Sequence, residues 1–203
     1  MNLKEALKAR RSIRIFKEDP VTEDVITELL EAARVAPSGT NLQPWRFLAV
    51  TSEEKRKELA ECTFNVNFIA TAPLTMVCCA DISSLKTRGE KVKELKEVGA
   101  FDGTDLGKTS FKEYAKKAKR DEKASEAYLH LNVAIAIEHM ILQGVELGLG
   151  SCWVMMFDED KVRETLDLSD NLQVTALVPF GYPAQEPKAR PRLELDDIYL
   201  GQV

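Results

Sequence analysis

Between residues 125 and 149 the chain reads SEAYLHLNVAIAIEHMILQGVELGL. At about 100° per residue, Asn132, His139, Gln143 and Glu146 fall on one narrow stripe, and Ala, Leu, Ile, Val and Met take most of the remaining circumference. A surface helix carries an apolar stripe on a polar rod. The reverse pattern predicts a helix about 35 Å long that is buried on most sides, a central core helix that a second subunit can share. A membrane span is the competing reading, but Asn132, Glu138 and His139 interrupt the run, well short of roughly 18 consecutive apolar residues. Gly148 and Gly150 end the helix.

Shorter periodic stretches surround it. Asn2 with Glu5 three residues on predicts a capped first helix with an apolar face of Leu3, Ala6 and Leu7. A second helix starts near Thr22, with Glu23 and Asp24 against its N-terminal dipole and Pro37 stopping it. Residues 37–44, PSGTNLQP, are dense in turn formers. WRFLAVT at 45–51 reads as a strand, and Thr51 with Glu54 resembles a capping box for a helix over 52–61. CTFNVNFIATAP is ambiguous. LTMVCCA at 74–80, SCWVMMF at 151–157 and LQVTALVPFG at 172–181 read as strands, Asp158 caps a short helix, and LELDDIYL reads as an extended tail. Strands separated by helices without a βαβ rhythm predict one domain over 1–203, a sheet covered by helices on both faces. The glycines at 144, 148 and 150 follow a helix instead of opening one, so they fail the context a dinucleotide fingerprint requires.

Residues 82–123 differ. They are rich in lysine, with Val92, Leu95, Phe101, Phe111 and Tyr114 as sparse apolar anchors. One or two loosely packed amphipathic helices are expected there, either a solvated insertion or a lid over a site.

Composition narrows the chemistry. A net charge of −5 disfavours nucleic acid as the main partner. Cys62, Cys78, Cys79 and Cys152 form no CxxC pair and read as buried free thiols in a reducing compartment. The N-terminus lacks an apolar secretory segment, so cytoplasmic location is expected. His130 and His139 lie on different faces of one helix, and no ligand spacing suggests a metal. Two basic clusters remain: Arg10, Arg11 and Arg14 around Ser12 and Ile13, and Lys188, Arg190 and Arg192 between Pro187 and Pro191. Guanidinium forks suit a phosphate, although both clusters are also consistent with a helix C-terminus and a solvated loop. In PSGTNLQPW, Ser38, Asn41, Gln43 and the amides around Gly39 are groups that can hydrogen-bond a flat polar heterocycle or a sugar chain, or form a plain turn before a strand. With so little chemistry in the side chains, a bound cofactor is expected to supply it.

ARRSIRIF at 9–16, APSGTNLQPWRF at 36–47, ELGLGSCW at 146–153 and VPFGYPAQEPKARPR at 178–192, in this order and spacing, resemble the nitroreductase family of FMN-dependent NAD(P)H oxidoreductases. Residues 82–123 are the unmatched part. The resemblance implies an α+β fold, a three-layer α/β/α sandwich with a mixed, mainly antiparallel sheet around the long helix, in an intertwined homodimer with two interfacial FMN sites. It places Arg10 and Ser12 with Lys188 and Arg190 at the FMN phosphate, Arg14 near the pyrimidine edge, and Arg11 and Ile13 among the other cofactor-binding residues. Pro37, Ser38, Gly39 and Asn41 would reach the FMN of the other subunit. Asn67, with Asn65, would lie near the ring, and the backbone of Val154, Met155 and Met156 against N5. Met155-Met156 departs from the glycine, or acid followed by glycine, often found there, which changes the pocket's width. Asn67 is uncharged where some members carry lysine. The implied reaction is ping-pong: NADPH or NADH delivers a hydride to flavin N5, and a nitroaromatic, quinone or similar small acceptor takes it, with no nucleic acid or membrane involved. Alternatives on the same fold are reductive dehalogenation, breakdown of the flavin, or a flavin carrier or sensor without turnover.

Overall fold

The computed structural model describes residues 1–110, 112, 113, 116 and 121–203. Phe111 and Tyr114 lie outside the described residues. Helix α1 (Leu3–Ala9) carries the expected capping box, Asn2 accepting from the Glu5 amide and Glu5 from the Asn2 amide. Helix α2 (Glu23–Arg34) begins after Thr22, which makes no side-chain cap bond. Strand β1 (Trp45–Val50) is followed by α3 (Glu53–Glu61), α4 (Phe68–Thr71) and β2 (Leu74–Asp81). The cap of α3 is Ser52, whose side chain accepts from the Lys55 amide, so the expected Thr51–Glu54 box is displaced by one residue.

In the lysine-rich segment a 3-10 stretch (Ile82–Thr87) leads into α5 (Arg88–Glu97) and the one-turn α6 (Asp105–Lys108). Val92 is buried and α5 packs on the 39–41 turn, so this segment is attached to the body more firmly than its composition predicts. The long helix α7 (Glu122–Glu146) starts earlier than residue 125 because Asp121 accepts from the Ala124 amide. It ends before Gly148, whose φ of 77° only a glycine adopts easily, while the Leu149 amide closes the last turn on the Gly144 carbonyl at 2.7 Å.

Strand β3 is only Gly150–Ser151, followed by α8 (Glu159–Thr165), β4 (Leu172–Gly181) and a helical turn, α9 (Leu195–Ile198). Two expectations change here. The apolar run 151–157 leaves the ladder after two residues, with isolated bridges from Val154 to Leu177 and from Thr63 to Phe157. The tail is not wholly extended: Asp196 and Asp197 in its first turn favour α9.

The strands form one sheet in the order β1-β2-β4-β3, every ladder antiparallel. Among the described residues the parallel contribution is a single Ser12–Ser151 bridge. All eight residues of β2 are buried, because its alternate side chains enter two helical layers. Leu74, Met76, Cys78 and Ala80 meet α2 and α7 through Leu29, Ala33, Val133 and Ile137. Val77 and Cys79 meet Leu59 of α3, Ile69 of α4 and Val162 of α8. This is the three-layer sandwich. The four thiols are free and buried, and burial pushes that of Cys79 up to about 12. Among the described residues no helix is long and apolar enough to cross a membrane.

Candidate functional site

The segment after α1 is fixed by strand-like pairing. Ser12 bridges Ser151 in parallel, and the Ile13 amide donates to the Ser151 carbonyl at 2.9 Å. Ile13 is buried against Gly150, where a Cβ would overlap its side chain. This explains why ARRSIRIF and ELGLGSCW occur together: the second supplies the edge and the gap that receive the first. Farther on, the Lys17 amide donates to Tyr182 and the Ala184 amide to Ile15, so the chain leaving β4 is bound to the same segment.

That pairing brings the two basic clusters together. A cleft of about 270 Å³ is lined by Lys8, Arg10, Arg11, Ser12, Arg14, Lys188, Arg190 and Arg192, with no carboxylate in its wall. Arg11 donates to the Lys8 and Arg10 carbonyls, and Arg14 to the Ser12 carbonyl at 3.4 Å. Arg10 approaches Glu138 at 4.0 Å, both partly exposed, a pairing too long and too solvated to neutralise the group. Beneath them lies Cys152. Burial pushes its thiol up, while Arg14, a bond to Ser12, Arg190 and Arg10 act against that shift. A cysteine amid these groups was not legible in the sequence; its bland apolar neighbours suggested only a core thiol. Cations gathered without a counter-ion repel one another, and a phosphate monoester would relieve this through several charge-assisted bonds. The donor set therefore fits the phosphate end of FMN.

Arg14 also faces the turn that precedes α4, its guanidinium carbon 6.0 Å from the Phe68 ring centroid. Asn65, at φ 61°, and Asn67 in that turn are exposed, and no side-chain bond from either is formed within the described residues. The turn is tied to the chain after β3 by the Phe64 amide, which donates to the Met156 carbonyl at 3.2 Å. Val154 is 4% exposed and its amide is consumed by Leu177 at 2.9 Å, so Val154 has no N–H to offer a ligand. Met155 and Met156 leave the sheet and are 69% and 63% exposed; their amides find no acceptor among the described residues. Phe64, beside them, is also exposed. An apolar run reads as buried, so nothing in the sequence signalled this thioether and aromatic surface.

Pro37, Ser38, Gly39 and Asn41 are held elsewhere. The Gly39 amide donates to Asn132 Oδ1 at 2.8 Å, and Asn132, buried on α7, donates to the Tyr128 carbonyl. A Cβ at Gly39 would run into the Tyr128 hydroxyl. The glycine thus serves internal packing, and its amide is not a free donor as the sequence suggested. Ser38 Oγ accepts from the Gln43 amide, and Gln43 Nε2 donates to Asn41 Oδ1 at 2.9 Å. Thr40, Asn41 and Gln43 all adopt positive φ, a concentration of strain that this network sustains. Among the described residues no hydrogen bond or ion pair joins this loop to the cation cleft of the same chain.

Comparison with known proteins finds relatives along nearly the whole chain. A profile of the Nitroreductase family matches residues 7–182. A protein named NADH dehydrogenase from Thermus thermophilus is 32% identical over 203 residues, covering 98% of this chain and 96% of its own. FMN reductase (NADPH) from Bacillus subtilis is 24% identical, covering 98% of this chain and 72% of its own. A nitroreductase family protein from Streptococcus pneumoniae superposes with a TM-score of 0.80 at 27% identity, over 99% of this chain and 100% of the other.

Proposed function

Because the chain belongs to the nitroreductase family, we propose that it is an NAD(P)H-dependent FMN oxidoreductase that reduces a small acceptor such as a nitroaromatic or quinone in the cytoplasm. The observation that carries this reading is the carboxylate-free cation cleft, joined through the Ser12–Ser151 bridge to exposed Met155 and Met156, whose amides find no acceptor among the described residues. Names of similar proteins, FMN reductase (NADPH) among them, support the cofactor and the donor.

Bound FMN supplies a two-electron carrier that takes a hydride from the dinucleotide and returns it to the acceptor. The residues of this chain bind and tune it. Arg10, Lys188 and Arg190 neutralise the phosphate, with Arg11, Ser12 and Ile13 fixing the backbone behind them. Arg14 would hold a positive charge toward the pyrimidine edge of a bound flavin and favour negative charge there, and the neutral Asn65 and Asn67 would contribute dipoles only. The Met155 and Met156 amides offer the hydrogen bond at N5. Met155, Met156 and Phe64 give an apolar surface that excludes water and suits a planar acceptor. Donor and acceptor use the same place in turn.

The site is completed by a second copy of the chain. Pro37, Ser38, Gly39 and Asn41 cannot join the cleft of their own chain through any described bond, and a homodimer would bring them to the partner's FMN. Exposed apolar side chains fit such an interface: Leu3 and Leu7 on α1, Leu131 on α7, and Leu193, Ile198 and Leu200 in the tail. Helix α5 rests on the 39–41 turn, and we assign residues 82–123 the selection of acceptors.

Chromatography with light scattering and absorbance tests the assembly and cofactor together. A dimer mass carrying the flavin band is expected, and FMN at one hundred times its dissociation constant should add about 2.7 kcal/mol of stability to the apoprotein. A monomer that retains FMN at low concentration would contradict the shared site, and a colourless protein unaffected by FMN would contradict the cofactor.

A further inference from the structure

On the other side of Arg14 lies a second cleft, of about 860 Å³, between residues 14–21, α3 and α4. Its size is that of a small-molecule site. Ile15, Pro20, Val21 and Pro73 give it apolar walls, and Arg56 of α3 lines it. Arg56 is 9% exposed, one of its terminal nitrogens donating to the Ala72 carbonyl at 2.5 Å. Its Nε is buried without a partner among the described residues. Glu53, on the same helix, is already bonded to Lys57 at 2.6 Å, and no described ion pair joins Arg56 to Glu53 or to Glu18 on the rim. Burial pushes the guanidinium pKa down and the Glu53 charge only opposes that shift. A nearly buried cation without a paired anion is unfavourable, and an anion entering from the cleft would offset this.

We propose that this cleft binds a small organic carboxylate, its apolar body on Pro20, Val21 and Pro73 and its charge beside the Arg56 guanidinium. A monoanion with an apolar body fits better than a phosphate. Of the other cations in the lining, Arg14 is turned onto Phe68 and Lys57 is held by Glu53, so Arg56 is left with one anion's charge to match, and Glu18 on the rim repels a dianion. The site shares Arg14 with the cation cleft but does not depend on the flavin reading.

Calorimetric titration of the purified protein with benzoate, benzamide and inorganic phosphate tests it. Benzoate should bind saturably, with benzamide and phosphate weaker by roughly tenfold or more, the loss expected when a charge-assisted bond goes unmade. Arg56→Met should lose benzoate by a similar factor, whereas Arg190→Ala, in the other cleft, should retain it. Should Arg56→Met not fold, Thr71→Glu places a carboxylate on the exposed wall of the same cleft; it should exclude benzoate without lowering the melting temperature. Absence of benzoate binding, equal binding of benzamide, retention in the cleft variants, or loss in Arg190→Ala would each overturn the assignment.

Discussion

Arg190→Ala should weaken FMN binding by roughly ten- to one-hundred-fold, the equivalent of about 1.5–3 kcal/mol for a hydrogen bond to a charged group. Arg190 lies in a cleft whose charged lining is all cationic, so its removal takes away a phosphate partner and leaves no carboxylate of the wall unpaired. Riboflavin, which lacks the phosphate, should bind wild type weakly and be little affected. That difference separates a phosphate contact from general damage to the pocket. Lys161→Ala is the control, since Lys161 sits on an exposed helix face, 3.6 Å from Asp158. Equilibrium dialysis of the three proteins with both flavins measures the six affinities. Equal losses for FMN and riboflavin, or no loss for either, would place the clamp on other residues.

Gly150→Ala should lower stability by about 1–3 kcal/mol, the usual cost of overfilling a packed position. The added Cβ would overlap Ile13, a buried residue whose backbone is bonded to Ser151, so the clash cannot be relieved by swinging a surface side chain. Displacing Ile13 also moves Ser12 and Arg14 on either side, so FMN affinity should fall with stability. Ile13→Ala in the same chain should recover part of the loss, giving a coupling between two sites that a denaturant melt can read. A Gly150→Ala protein with an unchanged midpoint and full FMN would show that β3 does not set the position of the arginine segment.

The sandwich was legible because its signals are local and strong. The long helix, β2 and β4 each bury continuous apolar surface, and the caps at Asn2 and Asp158 form as read. Residue chemistry likewise marked Arg10, Arg14, Lys188 and Arg190, and the fold brings both clusters into one cleft. What failed was the equation of apolar with buried. Met155 and Met156 continue an apolar run yet leave the sheet, because the chain turns to meet Phe64 and Phe157 pairs with Thr63. No local signal reports such a turn. The role of Gly39 was misread for a related reason: its neighbour Tyr128 is distant in sequence, and only the folded chain shows that the missing Cβ makes room for a phenol. Cys152 was hidden in the same way, since its cationic surroundings come from both ends of the chain.

Mixing the FMN-loaded protein with NADPH or NADH in the absence of oxygen, and following the flavin absorbance, tests the central claim most directly. Loss of the oxidised flavin band within the dead time or seconds of mixing, and its return when a quinone or nitroaromatic is added, is the expected result. A flavin that binds tightly yet keeps its absorbance with both dinucleotides would contradict an oxidoreductase and leave a carrier.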